Sequence, residues 1–101
     1  MTNTQLQIDA MYKGNKEIII EGIFSKSQIV VANAIIAGAQ QSIKEPKFIA
    51  ELKNLVNDTE IVLMGIPVSS IATAALDILG IIKYKGNDEY IQSLISSKLA
   101  F

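Results

Sequence analysis

From Ile61 to Ile82 the chain carries a single charge, Asp77, in a run that is otherwise apolar or small. A stretch of that length and character has two outlets, the interior of a folded domain or the hydrocarbon of a bilayer. Lys83 and Lys85 follow it as interfacial anchors would. Against a span, Asp77 near its centre would cost about 2.5 kcal/mol or more. Pro67, Ser69, Ser70 and Thr73 weaken it further, and Pro67 followed by two serines reads as a break between two elements, each too short to cross. The run is assigned to a buried core, with a small single-span membrane protein through 61–82 as the alternative.

A chain of 101 residues has room for one domain and one modest core, so a single domain over 1–101 is expected. Half of its residues are hydrophobic and only 19% are charged, which rules out a disordered or linker-like chain. His, Cys and Trp are absent, and all nine basic residues are lysines. Without His or Cys there is no zinc site, no thiol nucleophile and no Ser-His-Asp arrangement. Dispersed glycines spell neither a P-loop nor a dinucleotide fingerprint. The expectation is a non-enzyme with no cofactor and no metal. Missing Arg, a net charge of −1 and scattered lysines leave no electrostatic footprint for nucleic acid. The stretch from Met1 to Tyr12 shows no basic region followed by an apolar core, and the lack of Cys suits either a reducing cytoplasm or a protein that needs no staples; a cytoplasmic protein is expected, with membrane association as the alternative.

Along the chain, Leu6, Ile8, Ala10 and Tyr12 alternate with polar neighbours, the period of a half-buried strand. Lys13-Gly14-Asn15-Lys16 is a turn signal, and Ile18-Ile19-Ile20 favours a second strand. A hairpin over about 5–24 follows. Ser25 with Gln28 reads as a capping box and Phe24 with Ile29 as a hydrophobic staple, opening a helix over 26–44. Pro46 stops it and starts another over 46–56. Residues 60–66 fit a strand or a helix turn, the spacing from Ser70 predicts a helix over 70–84, and Asn87 caps a last helix over 88–99. The fold class is α+β, an N-terminal hairpin packed on three to four helices. The alternative is an all-α bundle in which Asn15 caps a helix running through Gly22.

Paired acids, Asp58 with Glu60 and Asp88 with Glu89, read as a solvated turn and as a complement to a helix N-terminus rather than as cation ligands. Tyr12-Lys13-Gly14-Asn15 recurs as Tyr84-Lys85-Gly86-Asn87, an echo read as coincidence in a chain rich in Lys and Ile. Gln28 to Ser42 is apolar over most of its circumference until Gln40, which suits either a helix gripped by its own domain and another subunit or a central helix wrapped by the hairpin and the other helices. Ala34 and Gly38, four apart, would let another helix approach closely. These features point to a non-catalytic assembly or protein-interaction module, self-associating through Ile29, Ala34, Ile36 and Gly38. A carrier of an apolar ligand held between hairpin and helices is a further alternative.

Overall fold

A computed structural model of the protein describes residues 3–59, 61–63 and 65–100, with the backbone alone for 61–63. The N-terminal hairpin is absent. Its place is taken by two helices, α1 (Asn3–Tyr12) and α2 (Lys16–Gly22). The physical reason lies in Lys13-Gly14-Asn15. Gly14 takes a φ of +95°, and the chain ends α1 with Asn15 N–H donating to Ala10 O and Gly14 N–H to Met11 O, both at 3.1 Å. This paired closure of a helix end needs a left-handed residue, which glycine adopts without strain. Asn15 then caps α2 directly, its side chain accepting the Ile18 N–H at 3.2 Å. The turn chemistry of a hairpin and the stop-and-restart chemistry of two helices use the same residue types. Burial separates them: Ile19, Ile20 and Ile23 are all in the core, a helical spacing that a strand would place on alternate faces.

α3 (Gln28–Gln40) begins two residues later than the capping box implies. Ser27 is its N-cap without a side-chain bond to the helix, while the Ser25 hydroxyl accepts the Ser27 N–H at 3.1 Å. Phe24 and Ile29 are both exposed instead of stapled into the core. The helix packs on α1, α2 and α5, so one apolar cylinder meets its own chain on most sides. It stops at Ser42, φ +59°, where Ile43 N–H donates to Gly38 O at 2.9 Å and Ser42 N–H to Ala39 O at 3.2 Å. A left-handed L-residue costs about 1–2 kcal/mol. Ser42→Gly is therefore expected to stabilise the fold by about 1 kcal/mol, read as a higher urea midpoint at unchanged slope. An unchanged or lower midpoint would show that Ser42 is not strained.

α4 (Pro46–Leu55) starts with Pro at its first turn and buries Phe48, Ile49 and Leu52. A minimal antiparallel pair follows, β1 (Ile61–Leu63) with β2 (Ile66–Pro67), the chain reversing through Gly65 at φ +81°. α5 (Val68–Ile78) buries Val68, Ile71, Ala72, Ala74, Ala75 and Leu76. It ends well short of residue 84 because Gly80, at φ +77°, closes it: Ile81 N–H donates to Leu76 O and Gly80 N–H to Asp77 O, both at 2.9 Å. Spacing alone could not tell that Gly80, and not Gly86, is the stop. α6 (Glu89–Ser96) is capped by Asp88, one residue beyond Asn87, its carboxylate accepting from Tyr90 N at 2.8 Å and Ile91 N at 3.3 Å. Lys98, at φ +54°, ends it in the same way as Gly14, Ser42 and Gly80 end α1, α3 and α5.

Among the described residues the molecule is a six-helix assembly with a short strand pair. The α+β arrangement gives way to a helical one. The run from Ile61 to Ile82 is likewise not one element but β1, β2, α5 and an irregular tail. No helix among the described residues is long and apolar enough to cross a membrane.

Candidate interaction surfaces

The four residues assigned to self-association are split by the fold. Ala34, Ile36 and Gly38 are buried within the chain itself. The close approach that small residues permit is used internally. Gly22 of α2 lies against Ala34 and Val30 of α3 and the tip of Met11, and the Phe48 ring of α4 seats on Gly38. Without unpacking its own partners, α3 has no small-residue face to offer a second copy. Ile29 alone is on the surface, 46% exposed.

Ile29 belongs to an apolar corner where α2 turns into α3. Phe24 is 53% exposed there, and the exposed Lys26 lies between them in the chain. Asn33, one turn on from Ile29, ties the corner to α1. It donates to the Ile29 carbonyl and accepts the Tyr12 phenol, each at 2.8 Å. Burial pushes the Tyr12 phenol above its ordinary value of 10.0, so it stays a proton donor to Asn33 at neutral pH.

The second surface surrounds α6. A cleft of about 460 Å³ is lined by the buried Ile66 and Leu94, by Tyr90, and by the polar Glu89, Ser93 and Ser97. A hollow of about 230 Å³ continues it across Ile66 and Tyr90 to Ser70 and Asp88. Tyr90 is 57% exposed between the two. Side chains brace the chain on either side. Asp77 accepts the Tyr84 N–H at 2.8 Å, the Tyr84 hydroxyl accepts the Asp88 N–H at 3.2 Å, and Gln92 donates to Gly86 O at 3.1 Å. At the far end Gln40 donates to the carbonyls of Lys98 and Leu99 at 3.3 Å. Asp77, the one charge in its apolar run, thus fastens the irregular segment after α5.

Tyr90 falls outside the apolar stripe of α6, Ile91, Leu94 and Ile95, and no spacing rule marks it. The two Tyr-Lys-Gly-Asn tetrapeptides are not structural equivalents: Gly14 is left-handed and Asn15 caps a helix, whereas the cap after Gly86 is Asp88. Of the paired acids, Glu60 lies outside the described residues, and Asp88 and Glu89 sit at the N-terminus of α6. No group of three or more His, Cys, Asp or Glu that could hold a metal occurs among the described residues. The apolar-ligand alternative placed its pocket between an N-terminal hairpin and the helices, and α1 and α2 stand where that hairpin would be. No protein-family model matches the chain, and no curated protein or solved structure is significantly similar to it.

Proposed function

We propose that this chain is a non-catalytic assembly module whose copies associate through apolar side chains left on the surface. The observation that carries the reading is the corner of Phe24 and Ile29, two large apolar side chains about half exposed within six residues of each other in the chain. Isolated exposed apolar residues are ordinary, but two large ones this close in sequence, at the turn between two helices whose other large apolar side chains are buried or half-buried, mark a contact surface. Ile29 is the one assigned residue whose side chain is free to make it.

Light scattering on size-separated protein tests this. The unaltered chain is expected to run above the single-chain mass of 11.0 kDa at the concentrated end of a tenfold dilution series and to fall toward it on dilution. Phe24→Ser combined with Ile29→Asp is expected to run at the single-chain mass with unchanged helical circular dichroism, because both positions are exposed. A single-chain mass for the unaltered protein at every concentration, or unchanged association of the variant, would overturn the reading.

A further inference from the structure

We propose that association is head to tail, the Phe24–Ile29 corner of one copy seating in the α6 cleft of a second copy. The proposal rests on the assembly reading above and adds the partner surface. Three observations on the molecule carry it. The first is apolar character: the corner exposes two large apolar side chains, and the cleft, lined in part by Ile66 and Leu94, has a volume within the range of sites that enclose ligand groups. The second is opposite charge. Lys26 is exposed at the corner, while Glu89 lines the cleft and Asp88 its continuation. Opposed potentials of this kind set the register of an encounter and suppress like-with-like pairing of two corners.

The third observation is placement. Ile29 lies in the first turn of α3, whereas Gln40, its last residue, clasps the end of α6. The helix rise separates those two points by about 16 Å along the axis. The corner and the cleft therefore do not compete, and one copy can use both at once. An interface between two different surfaces of identical chains continues until it closes into a ring or extends as a filament.

Two variants separate this geometry from other modes of assembly. Ile29→Asp blocks the corner and Tyr90→Asp blocks the cleft. Each places an acid in the first turn of its helix, where the dipole favours it, so neither is expected to disturb the fold. In sedimentation velocity at tens of micromolar, each variant alone is expected to associate at least tenfold more weakly than the unaltered chain and to run as a single chain. Mixed one to one, they are expected to form a species of twice the chain mass and no larger. That species pairs the intact corner of the Tyr90→Asp chain with the intact cleft of the Ile29→Asp chain. If the unaltered chain assembles but the mixture stays at the single-chain mass, or either variant assembles alone, head-to-tail pairing is overturned while the assembly reading stands. If the unaltered chain is a single chain at every concentration, both fall.

Discussion

Gly38→Leu is expected to unfold the chain or to cost most of its stability, rather than to loosen contacts between copies. Gly38 sits within α3 with the Phe48 ring on it, so closely that a Cβ there would overlap the ring, coming within 2.9 Å of Cε2 and 3.0 Å of Cε1. Phe48 has no measurable exposure and nowhere to retreat. Two effects oppose each other. Removing a helical glycine gains about 1 kcal/mol. Overpacking a filled interior costs about 1–3 kcal/mol, and more when, as with leucine, several atoms must be accommodated. The second effect prevails, and a net loss of about 3 kcal/mol or more is expected from a total of about 5–15 kcal/mol for a domain of this size. Urea unfolding of Gly38→Leu, Phe48→Leu and the double variant measures it. Relief of the ring contact should make the double variant less unstable than the sum of the two changes. A Gly38→Leu chain as stable as the original would show that the ring does not rest on Gly38.

Met11→Ala is the second large effect, at about 2–5 kcal/mol, the usual cost of emptying a buried site of this size. Met11 is fully buried, and its Cε lies where a Cβ on Gly22 would be. The sign of Gly22→Ala should therefore depend on residue 11. With Met11 present, the flexible thioether tip can shift, but the Ala34 Cβ, 3.2 Å from the new atom, must also give, so the added methyl should destabilise. In the Met11→Ala background the larger clash is gone and the Ala34 Cβ can give into the space the thioether leaves, so the methyl should stabilise the helix. Denaturation midpoints of the four proteins read the coupling directly, and strict additivity would refute the contact. The same experiment separates helix from hairpin at the N-terminus, because an outward-facing Met11 on a strand would be silent when truncated.

How far the fold is legible in the residues follows from where local signals are unique. Pro46 followed by Phe48, Ile49 and Leu52 has one physical reading, and α4 lies where that reading puts it. Gly14-Asn15 has two, and the contest is settled only by contacts distant in sequence, such as Met11 meeting Gly22 and α3. Helix ends are hidden for a related reason. Ser42 and Lys98 are not residues that spacing rules would place in left-handed conformations, so α3 and α6 close at positions that carry no glycine. For the surfaces, an apolar helix announces burial but not by whom. Ala34, Ile36 and Gly38 face α2, α4 and the rest of the same chain, leaving Ile29 exposed. Tyr90 is invisible to spacing because an exposed aromatic off the apolar stripe gains meaning only once Ile66 is brought beside it.

Among the described residues, the buried side chains of the core are apolar without exception. An interior of that kind contains no directional bond that prefers one neighbour over another, since dispersion and water exclusion reward any close fit. What tells each helix its neighbour must then be written in volume: a missing side chain at Gly38 admits one ring, and a missing side chain at Gly22 admits one thioether. The two glycines work as keyholes, and the identity of the fold resides less in what the interior contains than in the two places where it leaves a side chain out.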